Sequence, residues 1–143
     1  MLSDETLAEP RVAAGSEARL TGACPIVPVR RVDRTVAFYT DVLGFDLLDR
    51  NAGGTFAYVG RGGAGVMLLD LHDAKALQAT GAFMSAYLWV EDVVAYYDEI
   101  RPALSRLPEN RVQPLFEKAD GRHEFHVRDP DGFLLFFGEA RAR

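Results

Sequence analysis

One apolar pattern occurs twice along the chain. Val29, Val32, Val36, Tyr39 and Leu43 form the first copy. Val90, Val93, Tyr97, Ile100 and Leu104 form the second, at a constant offset of 61 residues. Each set begins at the end of a strand-like run and continues at helical spacing, so each half holds a strand followed by an amphipathic helix. Three more strand-like runs follow each helix. Two copies of a β-α-β-β-β unit mark a duplicated fold, and such folds tend to place a ligand between their halves.

Turn and cap residues set the boundaries. The first strand is read over residues 23–29, where Pro25 and Pro28 lack backbone donors and therefore place it at a sheet edge. Asp33 is the expected N-cap of a helix over 34–43, and Gly44 its left-handed stop. Strands follow over 45–50, 55–60 and 66–71, the last two joined by the glycine-rich turn 61–65. In the second half, a strand over 85–90 leads to a helix capped by Asp92, and Pro102 is expected to end or kink that helix. Strands over 113–118, 122–128 and 133–138 complete the copy. Asp129-Pro130-Asp131-Gly132 between the last two has the chemistry of a type I turn. Residues 1–22 read as an N-terminal extension and 23–139 as one domain, with module one at 23–71, a linker at 72–82 and module two at 83–139.

Composition narrows the classes of function. With 48% hydrophobic and 26% charged residues the chain has the balance of a soluble globular domain, and no apolar run is long enough to span a membrane. A net charge of −5 gives no support to nucleic-acid binding and weakly favours a cationic ligand. The single cysteine, Cys24, excludes an intrachain disulfide. Together with a first segment that lacks the apolar core of a secretory signal, it points to a cytoplasmic protein.

The motifs, taken in order, resemble the vicinal oxygen chelate superfamily, the glyoxalase, bleomycin-resistance and dioxygenase group. They are Val29-x-x-Val32-Asp33-Arg34-x-Val36-Ala37-Phe38-Tyr39, then Asp41-Val42-Leu43-Gly44-Phe45, then Val90-Glu91-Asp92-Val93, and finally Glu124-Phe125-x-x-Arg128-Asp129-Pro130-Asp131-Gly132. The look is nearest the bleomycin-resistance branch. The resemblance implies an α+β fold in which two β-α-β-β-β modules form a curled-sheet cup, completed in a homodimer.

Metal-binding members of that superfamily hold a divalent ion with His and Glu side chains from the strands. The matching positions here are Cys24, Ser85 and Phe136, with the fourth falling on Leu69 or Asp70. That set is not the family's metal site, so no metal, cofactor or catalytic residue is expected. Asp70 and His72 are two apart and could share a face, which keeps a metal-dependent lyase, isomerase, epimerase or ring-cleaving dioxygenase as the alternative. His123 and His126 are three apart and point to opposite faces of their strand.

Strand alternation places Ser85, Tyr87 and Trp89 on one face of their strand, and the resemblance implies that Phe136 of the last strand shares it. An aromatic surface where relatives carry charge suits a planar aromatic or cationic small molecule. The sequence therefore reads as a metal-free binding protein that sequesters its ligand. Trp89, Tyr87, Ser85, Phe136, Cys24 and Asp70 are the candidate binding residues.

Overall fold

The computed structural model describes residues 17–140. Most of the expected N-terminal extension lies outside the described residues. β1 (Ile26–Val29) leads into α1 (Val32–Ala37), which widens into a π-helical turn over Phe38–Val42. β2 (Asp46–Arg50), β3 (Phe56–Arg61) and β4 (Ala64–Asp70) complete the first module. α2 (Ala74–Phe83) crosses to the second, which runs β5 (Ser85–Trp89), α3 (Val93–Leu104), β6 (Val112–Glu117), β7 (His123–Arg128) and β8 (Leu134–Gly138).

The duplication extends to topology. The first sheet runs β1-β4-β3-β2 and the second β5-β8-β7-β6, the same order displaced by four strands. In each, the opening strand pairs parallel with the closing strand, and the other neighbours pair antiparallel. β1 is an edge strand, as its proline requires.

The curled-sheet cup is corrected by this topology. Among the described residues the strands form two separate four-stranded sheets, and no ladder closes either one or joins them. The opening strand of each sheet pairs only with the closing one, and β2 and β6 pair only with the strand that follows them. Each sheet therefore ends in two free edges, and one face of each stays open.

Three local expectations also change. Arg31, not Asp33, stands at the N-cap of α1, because starting at Val32 brings that side chain into the core. The Asp33 carboxylate instead accepts from the Arg34 N–H and from Arg31, which together hold its pKa below the ordinary value. Pro102 does not end α3, which continues to Leu104, whose side chain is buried in the core. The linker holds a helix: Asp73 caps α2 by accepting from the N–H groups of Lys75 and Ala76, ahead of an alanine-rich run of high helix propensity.

A single core spans both modules. Tyr96 of α3 ties them together, its hydroxyl donating to the Leu43 carbonyl at 2.7 Å. The Arg61 guanidinium lies over the Tyr96 ring, 4.8 Å from its centre. That guanidinium donates twice to Glu99, at 2.6 and 3.0 Å, and once to the Gly44 carbonyl at 3.3 Å. Gly44 has φ +70°, a backbone conformation that calls for glycine, and a Cβ there would also push on the end of the Arg61 side chain. Tyr96→Phe should cost about 1–2 kcal/mol, because the buried Leu43 carbonyl loses its tyrosine donor. Urea denaturation checks this, and an unchanged midpoint would mean another donor takes over.

Candidate functional site

Alternation gives the second sheet two unlike faces. Leu88, Phe125, Val127, Leu135 and Phe137 are buried in the core. The open face carries Ser85, Tyr87 and Trp89 from β5, Leu134 and Phe136 from β8, and Glu124, His126 and Arg128 from β7. Register puts Trp89, Gly138 and Glu124 in one row across the sheet. Tyr87, Phe136 and His126 form the next row on this face.

The polar centre of the face depends on a missing side chain. Tyr87 leans over β8 at Gly138, and its hydroxyl donates to Glu124 Oε1 at 2.7 Å. A Cβ at Gly138 would collide with the Tyr87 hydroxyl, so any other residue would have to displace the phenol. The second Glu124 oxygen lies 2.7 Å from His126 Nε2, and Lys118 Nζ is 3.8 Å from the first. Burial pushes the Glu124 pKa up, but the hydrogen bonds from His126 and Tyr87 outweigh it and the net shift is downward. The Tyr87 hydroxyl is pushed up to about 12 by burial and by its bond to Glu124. At neutral pH the pair is a carboxylate and a neutral phenol.

Aromatic rings enclose that pair. Phe136 stacks with Tyr87 at 6.1 Å and meets the His126 ring at 4.3 Å, while Phe116 of β6 meets His126 edge-on at 5.5 Å. Trp89 lies 5.4 Å from the Tyr87 ring and is 70% exposed. Beside Trp89 opens a cavity of about 910 Å³, between the β3–β4 turn and the segment joining β5 to α3. Arg61, Tyr87, Glu91, Tyr96 and Glu99 contribute to its walls.

Of the six sequence-predicted binding residues, Tyr87, Trp89 and Phe136 come together in the aromatic rows. Ser85 is exposed at the start of β5, level with Leu134 on the same face. Cys24 precedes β1 in the first module and is half-buried. Asp70 closes β4, pairing through Oδ2 with His72 Nε2 at 3.0 Å. It shares strand parity with the core residue Leu68, whereas Leu69 takes the exposed face. Cys24 and Asp70 are not part of the aromatic rows. Sequence reasoning missed Glu124 and Gly138, and it weighed His126 only against His123. The available signal was the two-residue spacing of Glu124 and His126 on one strand.

The model of the Glyoxalase/Bleomycin resistance protein/Dioxygenase superfamily matches residues 22–137. The chain belongs to this superfamily. Among curated proteins, no sequence matches. The bleomycin-binding protein of bleomycin-producing Streptomyces verticillus, solved with copper(II)-bleomycin, is 26% identical with a TM-score of 0.69, covering 87% of this chain and 99% of its own. The bleomycin resistance determinant of transposon Tn5 is 24% identical with a TM-score of 0.68, covering 85% and 98%. Lactoylglutathione lyase from Agrobacterium tumefaciens, 18% identical over 85% and 96% with a TM-score of 0.60, shares the fold. The superfamily thus joins small-molecule binders and enzymes on one architecture, and the fold alone does not choose between them.

The residues at the superfamily's metal positions do not fit a divalent ion. The Phe136 ring stands where a carboxylate would be needed, packed between Tyr87 and His126. Ser85 opens β5 in the second module, whereas Cys24 precedes β1 in the first. Among the described residues no three His, Cys, Asp or Glu side chains converge as a donor set, and Asp70 with His72 is only a pair.

Proposed function

We propose that this protein binds a planar aromatic small molecule on the open face of its second sheet and acts by sequestering it, without a metal. The observation that carries this reading is the exposed Trp89, continued by Tyr87 and by Phe136, the last at a position that the resemblance matches to a metal-ligating carboxylate. An exposed ring at the end of an aromatic row offers stacking at little cost in side-chain ordering. The likeness to the S. verticillus bleomycin-binding protein supports the same reading and makes bleomycin the first probe.

Calorimetric titration of the chelator-treated protein with metal-free bleomycin tests it, and in the unaltered protein the fluorescence of Trp89, the single tryptophan, follows the same event. Trp89→Ala should weaken binding by about 1–2 kcal/mol, the range for removing a stacking platform. Binding that appears only after a divalent ion is restored would overturn the metal-free reading. Unchanged binding with a sharp loss of stability would make Trp89 a packing residue instead.

The functional unit in this reading is a cytoplasmic homodimer. The open face of the first sheet exposes Ile26 and Leu69, and its opposite edge strand exposes Leu48; a second copy is the simplest cover for that apolar surface. Sedimentation at micromolar concentration should give the dimer mass. A clean monomer would contradict it.

A further inference from the structure

We propose that His126 is the polar anchor of the aromatic face, its Nδ1 accepting a hydrogen bond from a ring N–H or O–H of the bound planar ligand. The proposal rests on the binding role given above and adds the group that selects among flat molecules.

Glu124 sets the imidazole. Both carboxylate oxygens are engaged, one by the Tyr87 hydroxyl and the other by His126 Nε2, each at 2.7 Å. An ionised carboxylate accepts only, so the imidazole must present an Nε2–H to it. In the neutral ring Nδ1 then keeps its lone pair, and among the described residues nothing donates to it. The ring is also held by packing, with Phe136 on one flank and Phe116 edge-on at another. Turning it over would break the bond to Glu124.

The carboxylate itself is a poor partner for a ligand. It is 7% exposed, both oxygens are taken, and Lys118 Nζ stands 3.8 Å away. The His126 side chain, by contrast, is 20% exposed and borders Phe136 in the aromatic row. A half-desolvated acceptor among rings strengthens a hydrogen bond to a well-placed donor and penalises a ligand that lacks one. The face thus reads a neutral donor on a flat molecule more than a positive charge.

Acridone and N-methylacridone separate the two ideas, since they share shape and stacking area but only the first carries a ring N–H. Calorimetric titration of the full chain should show acridone binding about tenfold tighter, the effect of one net hydrogen bond. His126→Phe keeps an aromatic ring and removes the acceptor, so the ratio of the two affinities should fall to about one, whatever the change in the stacking that both compounds share. Glu124→Gln should act likewise, because its amide can donate to Nε2 and move the proton to Nδ1; it decides the matter if the His126 variant fails to fold. Equal binding of the two compounds by the unaltered protein would overturn the anchor and leave the aromatic face standing. A preference that survives both substitutions would place the acceptor elsewhere. If neither compound binds, the anchor and the aromatic-face reading fall together.

Discussion

Truncating Phe125 to alanine should destabilise the protein by about 3–5 kcal/mol, the range for removing a large aromatic side chain from a packed core. Phe125 is fully buried on β7. Its ring stacks on Phe137 at 4.9 Å and meets Tyr97 at 5.1 Å and Tyr96 at 5.9 Å. Two of those neighbours come from α3 and one from β8, so the cavity left behind would be walled by two regular elements with little freedom to collapse. The total stability of a domain is about 5–15 kcal/mol, so the loss is a large share of it. Phe125→Leu should cost much less, because most of the volume is kept. Urea denaturation monitored by circular dichroism measures both. A loss below about 1 kcal/mol for the alanine variant would mean that the core closes over the gap.

The same substitution should loosen the ligand face, because Glu124 and His126 flank Phe125 in sequence and point the opposite way. Core packing on one side of β7 fixes the geometry of the polar pair on the other. The Tyr87–Glu124 bond at 2.7 Å is the sensitive element, since it spans two strands and needs β7 and β5 in register through β8.

The duplicated module was legible because it rests on periodicity. The apolar offset of 61 residues predicts two strand-helix units, and the sheets repeat their order as that pattern implies. Pro28 likewise announces an edge strand by what its backbone lacks. The closure of the sheets was not legible, because alternation along a strand says which residues share a face but not how a sheet bends or ends. α2 was passed over because its hydrophobic pattern is weak, only Leu77 and Thr80 being buried, though its Asp73 cap was readable. Tyr87 and Trp89 could be grouped from parity, and Phe136 joined them through the family resemblance. The contact between Tyr87 and Glu124 could not. It depends on a phenol crossing an intervening strand at Gly138, and a glycine at a strand end carries no mark of what passes over it.

Asp129→Asn should leave stability unchanged near pH 3.5 and raise it by up to about 3 kcal/mol at pH 7.5. The Asp129 side chain is 1% exposed at the head of the turn before β8. Its Oδ1 accepts from the N–H groups of Asp131 at 2.8 Å and Phe133 at 2.9 Å. Its Oδ2 is buried with no partner. Burial pushes the carboxyl up to about 6, against the pull of the two backbone bonds and of Arg111. In the unfolded chain an aspartate titrates near pH 4, about two units lower. Below that pH the group is protonated in both states and costs nothing. As pH rises from about 4 to 6 the unfolded chain ionises first, so stability falls, and above about 6 the penalty is complete. Each unit corresponds to about 1.4 kcal/mol, hence the size of the effect. Asparagine keeps an oxygen for both backbone donors and carries no charge to desolvate. Comparing variant with parent at each pH cancels the other carboxylates, among them Glu124, whose lowered pKa acts in the opposite sense. Urea midpoints at pH 3.5, 5 and 7.5 suffice. A variant that is weaker than the parent at pH 7.5 would show that the Asp129 carboxylate has a partner worth more than its burial costs.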